Sequence, residues 1–314
     1  MKTIGIMEVG GFRVGHASYD EAGTGCTVIL FDEPATAGIS VQGGGPASRD
    51  TRILDPLMGA DSIHAILLSG GSAFGLDAAG GVMRFLESRG IGFPVAGSVV
   101  PLVCQSSLFD LCVGDPDIRP DAALGEAACR SASYAPPAEG NVGAGTGCSV
   151  GKLVGMDRAM KSGFGTYAFD CGGLRVGALV AVNAIGDVYD GAKRIAGVRD
   201  PLGRTTEDLF LEPLSAANAD QGANTTIGVL VTNAALSKAQ LAKAAAMAHD
   251  GLARAIRPVH TLLDGDSVYC ASTGRFPTYV NSVGILASIA MERAIVRAVR
   301  ASKTAYGLPG LGDR

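Results

Sequence analysis

The sequence predicts a layered α/β fold in which strands covered on both faces lie between helices. Three features lead there. The β-type runs are apolar at successive positions, not alternate ones, as strands buried on both faces require. Three longer segments repeat their apolar residues at helical spacing. Glycine fills 45 of the 314 positions without a Gly-x-y period or a low-complexity tract. Such usage points to tight turns and close backbone approach, not to disorder.

In chain order, strands are expected over residues 26–31 and 63–68. A helix follows Ser72, runs through Leu76, Val82 and Phe85 to about Glu87, and ends near Gly90. Further strands are expected over residues 174–182 and 226–231. The second helix begins at Ser237, with Gln240 three residues on as its capping-box partner. Leu241, Ala244, Ala248, Leu252 and Ala255 form its apolar stripe, and Pro258 closes it. A strand over residues 267–271 precedes the third helix, which runs from about Ser282 through Ile285, Ile289 and Val296 to Val299. Residues 307–314, rich in glycine and proline, are expected to fray. Residues 199–223 are the most polar and least periodic stretch and read as a surface linker. No internal repeat is visible.

A chain of this length with 47% hydrophobic residues buries a sizeable core, as one large domain or two intimate ones. Charge is sparse and slightly acidic, with pI near 5.6 and no basic block, which argues against nucleic acid and anionic membranes as partners. Seven cysteines are scattered without a Cys-x-x-Cys pair, as expected of buried, reduced thiols in a cytoplasmic protein. The first fifteen residues hold no apolar stretch of signal-peptide length, and no run approaches a membrane span.

The most informative stretch is Gly222-Ala223-Asn224-Thr225-Thr226-Ile227, a turn-prone segment and two hydroxyls at the head of an apolar, β-rich run. Read plainly, Asn-Thr-Thr before a strand is a turn. Cut between Asn224 and Thr225, it would instead give Thr225 a free α-amine beside its own hydroxyl, a complete nucleophile-plus-base unit. Four other segments bear on the choice. In His260-Thr261-Leu262-Leu263-Asp264-Gly265-Asp266, two carboxylates two residues apart point the same way in an extended or turn geometry, and could hold an amine and a hydroxyl; the alternative is an ordinary Asp-Gly turn. The glycine-rich run 143–151 ends in Lys152. It fails the phosphate-loop pattern because Leu153 replaces the Ser/Thr, leaving Lys152 as an anion-stabilising group or a surface lysine. Asn183 ends a buried-looking strand and is an oxyanion donor or a turn residue. The strand–glycine–helix junction 68–77 offers Gly71, Ser72 and Phe74 to a substrate pocket. It lacks the final glycine of a nucleophile elbow, because Phe74 stands there. The four histidines show no His-x-x-x-His pair, so no metal and no cofactor is expected.

Together these segments resemble the self-processing aminopeptidases of the P1/S58 type, which include D-aminopeptidase and β-peptidyl aminopeptidases, with the nylon-oligomer hydrolase as a relative. The resemblance covers nearly the whole chain: Val14-Gly15-His16, Gly25-Cys26-Thr27-Val28, residues 69–77 and 143–147, Asn183, Asn224-Thr225-Thr226, Arg257-Pro258 with His260, and Asp264-Gly265-Asp266. It implies a four-layer αββα sandwich like that of the amino-terminal-nucleophile hydrolases, with connectivity shared with ornithine acetyltransferases, over residues 1–314. It also implies self-cleavage into residues 1–224 and 225–314, with Thr225 as nucleophile, Asp264 and Asp266 orienting it, Asn183 as oxyanion amide and Lys152 as a site lysine. Paired fragments are expected to form a homo-oligomer acting on a small peptide or amide. The aminopeptidase branch uses serine where Thr225 stands, and some members carry tyrosine in place of Phe74. Asp264 leans toward the nylon-oligomer side. An acyltransferase working through the same acyl-enzyme and an uncut binding protein are the other two readings.

Overall fold

The computed structural model describes residues 1–212 and 224–313. Ten strands carry the fold: β1 (Lys2–Ile4), β2 (Phe12–Tyr19), β3 (Thr24–Val41), β4 (Ala47–Arg49), β5 (Ile63–Ser69), β6 (Val103–Ser107), β7 (Phe164–Cys171), β8 (Leu174–Asn183), β9 (Thr225–Ala234) and β10 (Ser267–Phe276). They are hydrogen-bonded in the order β1-β7-β8-β9-β10-β3-β5-β6-β4, with β2 also on β3. The long strand β3 serves two sheets. Its first part, from Cys26 to Leu30, pairs with β5, and its last part, from Thr36 to Val41, pairs with β10. The β3–β5 register shifts between Leu30 and Ala35, and Ala35 pairs with Ile63.

Alternating side chains then build three cores, as the two-residue period of a strand dictates. Between the sheets, Ile29, Phe31, Ile66 and Leu68 face Leu179, Ala181, Ile227, Val229, Val231 and Tyr269. Buried Tyr269 meets its polar requirement through Ser106 Oγ at 2.7 Å. On the outer face of the first sheet, Val28, Leu30, Ala65 and Leu67 pack on α1 (Ala78–Glu87) and α2 (Ala122–Ser131). On the other side, Val176, Ala178, Val180, Leu230 and Val268 pack on α4 (Lys238–Ala255) and α5 (Val280–Ala301). A short α3 (Thr206–Leu211) lies outside these layers' main contacts. The result is helix, sheet, sheet, helix: the four-layer αββα sandwich. Parallel neighbours β9 and β10 are joined through α4, because a parallel pair needs a crossover. Ser237 caps α4 in a full capping box with Gln240, and the expected stripe is entirely buried.

Four expectations need correction. The first helix opens as a 3₁₀ segment, Ser72–Asp77, before α1 begins. Gly71 and Ser72 both have positive φ, and a Cβ on Gly75 would lie 1.9 Å from the Gly70 carbonyl, so the chain doubles back too tightly for an α-turn. Helix α2 escaped the periodicity reading because its packed face is small: Gly125 sits where a Cβ would meet the Ala78 carbonyl at 2.0 Å. The polar stretch 199–223 is not all surface linker. Thr205 starts α3 with a capping box to Asp208, and buried Asp187 accepts from the N–H groups of Val198 and Thr206; residues 213–223 lie outside the described ones. The tail is held, not frayed: Leu308 is buried, Lys161 N–H donates to the Pro309 carbonyl at 3.0 Å, and Gly312 N–H to Ser302 at 2.7 Å. Cys112 and Cys171 are exposed where buried thiols were expected. No helix among the described residues is long and apolar enough to cross a membrane.

Candidate active site

Strand β8 ends at Asn183 just where β9 begins at Thr225, and the two are antiparallel partners. On the opposite side, Asn224 forms a parallel bridge with Asp264, and Gly265 N–H donates to the Asn224 carbonyl at 3.0 Å. The Thr225 hydroxyl donates to that same carbonyl oxygen. Thr225 is buried, and its β-branched side chain is stiff about χ1. Only glycine fits at 265: a Cβ there would lie 2.7 Å from the Gly45 carbonyl and 2.9 Å from Thr225 Oγ1.

The two carboxylates divide their work. Asp266, fully buried, accepts from Thr226 N–H through Oδ1 at 2.6 Å. Its Oδ2 receives the His260 backbone N–H at 3.2 Å and faces His260 Nδ1 at 2.8 Å. Asp264 accepts from the Thr261 hydroxyl at 2.6 Å and its N–H at 3.1 Å, and from Ile185 N–H at 3.4 Å. Burial, then the neighbouring charge of Asp266, push the Asp264 carboxyl up to about 6. Because this lies above the unfolded value of 3.8, the folded protein holds the proton more tightly between the two. The stability Asp264 contributes is therefore complete below pH 3.8 and lost as pH rises through about 6. We expect thermal midpoints measured from pH 4 to 7 to show a flatter pH slope in Asp264→Asn than in wild type.

Asn183 is the hub of the second half of the site. Its Oδ1 accepts from Ser149 N–H at 3.1 Å and Lys152 Nζ at 2.8 Å, while Nζ also reaches the Asn183 carbonyl at 3.0 Å. Lys152 is thus buried, not a surface lysine, and burial lowers it to about 8, so it stays mostly charged at neutral pH. One hydrogen of Asn183 Nδ2 goes to the Phe109 carbonyl at 2.6 Å; the amide carries a second.

Thr225, Asn224, Asp264, Asp266, Asn183 and Lys152 are therefore brought to one strand end. Gly71 is tied to this group indirectly: its N–H donates to Asp110 Oδ1 at 2.7 Å, next to the Phe109 carbonyl that Asn183 uses. Ser72 is held by its N–H on the Leu108 carbonyl at 2.9 Å. Phe74 is not brought in. It is 59% exposed and stacks 3.9 Å under the Arg119 guanidinium, in a cleft lined by Tyr19, Asp77, Asp121 and others but by none of the Thr225 group.

Sequence reasoning missed Asp110, fully buried, which Thr24 Oγ1 contacts at 2.7 Å and whose carboxyl burial raises to about 6. It also missed Lys161, whose buried ammonium donates to the carbonyls of Gly145, Cys148 and Ser162. Neither belongs to a spacing motif; the available signal was a charged residue in otherwise apolar or glycine-rich surroundings. Among the described residues no group of three or more His, Cys, Asp or Glu side chains is set to hold a metal ion.

The profile described as Peptidase family S58 matches residues 5–311. An uncharacterized aminopeptidase of Mycobacterium leprae (strain TN) is 37% identical, over 97% of this chain and 92% of its own length. A 6-aminohexanoate-oligomer endohydrolase of Kocuria sp. (strain KY2) is 31% identical, over 92% of this chain and 84% of its own. Among solved structures, the L-aminopeptidase D-Ala-esterase/amidase of Ochrobactrum anthropi, described as a new variant among the Ntn hydrolase fold, superposes with a TM-score of 0.73 at 20% identity, covering 96% of this chain and 88% of that one. A Burkholderia sp. beta-aminopeptidase superposes with a TM-score of 0.69 at 24% identity, covering 98% and 90%.

Proposed function

Because the chain belongs to peptidase family S58 and is thereby a peptide or amide hydrolase, we propose that it cuts itself between Asn224 and Thr225 and then hydrolyses small peptides or amino-acid amides with Thr225 as an N-terminal nucleophile. The observation that carries the reading is the Asn224 carbonyl, which accepts from the Thr225 hydroxyl and the Gly265 N–H together. A nucleophile and a backbone donor thus meet on one amide.

In the precursor, Thr225 Oγ1 attacks the Asn224 carbonyl carbon. The Gly265 N–H stabilises the oxyanion that develops, the kind of fixed donor that is worth most where water is excluded. The C–N bond breaks, the proton of the hydroxyl ends on the freed nitrogen, and an ester joins Asn224 to Thr225. Water hydrolyses that ester to a carboxylate and a free threonine. In the mature enzyme the Thr225 amine, with an ordinary pKa near roughly 8, is partly neutral at physiological pH and takes the hydroxyl proton. Attack on a substrate amide gives an acyl-enzyme, and the leaving amine receives that proton. Asp266 holds the strand head through Thr226, and Asp264 supplies negative charge close to the new ammonium. The second hydrogen of Asn183 Nδ2 serves the substrate oxyanion, with the Lys152 charge behind it.

Intact mass of the purified chain, with N-terminal sequencing of its pieces, tests the proposal. Pieces corresponding to residues 1–224 and 225–314, the second beginning with threonine, are expected. One full-length species that hydrolyses no amide would favour the uncut binding protein. Faster acyl transfer to an added amine than to water would favour the acyltransferase.

A further inference from the structure

We propose that His260 is a positioning residue, which turns the Asp266 carboxylate so that Oδ1 faces the strand carrying the nucleophile. The proposal rests on the role of Thr225 just described. His260 has φ +59°, a left-handed conformation rare for residues with a Cβ and least disfavoured for Asn, Asp and His. From that backbone its N–H and its Nδ1 both converge on Asp266 Oδ2, at 3.2 and 2.8 Å. Only Oδ1 is then left for Thr226 N–H, at 2.6 Å. Without the ring, Oδ2 keeps only the longer bond from the His260 backbone N–H, and the carboxylate that holds the head of β9 is less firmly fixed.

A carboxylate only accepts, so a ring hydrogen is assigned to Nδ1, which leaves Nε2 as the far nitrogen. That Nε2 is buried and finds no hydrogen-bond partner among the described residues. A buried polar atom without a partner calls for an explanation, and the contact of Nδ1 supplies one: the ring is oriented for Asp266 at the expense of its far nitrogen. His249 fixes the ring from the side, edge-on with centroids 4.7 Å apart and planes at 72°. His249 is itself held through Nε2 on the Ser40 carbonyl at 3.1 Å. A histidine that merely filled space would need neither the left-handed backbone nor the stranded nitrogen.

Two substitutions in the full chain separate the side chain from the backbone. Glycine adopts positive φ freely but donates nothing through a side chain. Asparagine tolerates this conformation, and its Nδ2, one bond from Cγ like the histidine Nδ1, can donate to Asp266. His260→Gly is expected to slow self-cleavage at least about tenfold, the scale of a lost hydrogen bond to a charged group. Once processing has run to completion, kcat for alanine p-nitroanilide or a 6-aminohexanoate oligomer should fall by a similar factor with KM nearly unchanged. His260→Asn should restore both to within about threefold of wild type. If His260→Gly does not fold, as judged by near-UV circular dichroism, His260→Ala replaces it: it keeps the Cβ, adds no charge, has no side-chain donor and should be as slow. Wild-type rates in the non-donating variant, or equal loss in the asparagine variant, would overturn the proposal. Thr225→Ala run in parallel tells the two failures apart. If that variant still processes and hydrolyses, the nucleophile assignment is at fault; if it is inert while the non-donating His260 variant is unimpaired, only the positioning role falls.

Discussion

Replacing Thr225 with alanine is expected to leave the chain in one piece and to cut amide hydrolysis by about 10⁴-fold or more, the usual scale for loss of a nucleophile. Under the proposed mechanism both steps should fail together, since one oxygen is assigned both attacks. The fold should survive. The change removes a hydroxyl and a methyl from a buried site, which costs about 1–2 kcal/mol, within what a chain with three cores tolerates. Thr225→Ser keeps the oxygen but loses the β-branch that stiffens χ1. It should process within about tenfold of wild type, so the pair of variants isolates the hydroxyl from its rotamer. A denaturing gel and the hydrolysis rate are read on the same preparations. Two fragments from the alanine variant would transfer the nucleophile's role to another group.

The layers were legible where burial is continuous. Residues 174–182 and 226–231 are apolar on both faces, and in the structure one face of each strand enters the inter-sheet core while the other meets α4 and α5. The capping box at Ser237 and the stripe of α4 were equally readable, since both depend on residues within one helix. Helix α2 was not, because Gly125 and Ala128 make up half of its buried face and only Leu124 and Cys129 are left to mark it as apolar. The two pairings of β3, with β5 and then with β10, depend on strands far along the chain, and no local pattern records them.

The site divides the same way. Asp264 and Asp266 are visible as a pair, and Asn183 stands out as a strand-ending amide. That Asn183 lies opposite Thr225 is a matter of register between two strands, and register follows from whole-sheet packing. Lys152 reads as an exposed or a buried lysine with equal ease until Asn183 is found beneath it. Phe74 is the converse case. Its junction has the residues of a pocket, yet the tight 3₁₀ turn aims the ring at Arg119 instead of the strand head.

Asp266→Asn is the second substitution expected to have a large effect, slowing self-cleavage by about 10- to 100-fold. Three donors point at this carboxylate: the N–H groups of Thr226 and His260 and the His260 ring. An amide has one oxygen. If it faces Thr226, its NH₂ is driven against the His260 N–H; if it is flipped, the NH₂ meets the Thr226 N–H. A change of ring tautomer relieves Nδ1 but no backbone donor, so at least one buried N–H is left unpaired at about 1–3 kcal/mol. That cost falls at the head of β9, where the direction of Thr225 Oγ1 relative to the Asn224 carbonyl is set, so the lost energy appears in the barrier. The mature enzyme also loses the charge that faces the strand bearing the new amine, and its hydrolysis rate should drop at least as far as its processing rate. Folding is measured separately by the thermal midpoint, which should fall only a few degrees. Processing at the wild-type rate in this variant would leave Asp266 as a residue that closes a turn and does nothing to the reaction.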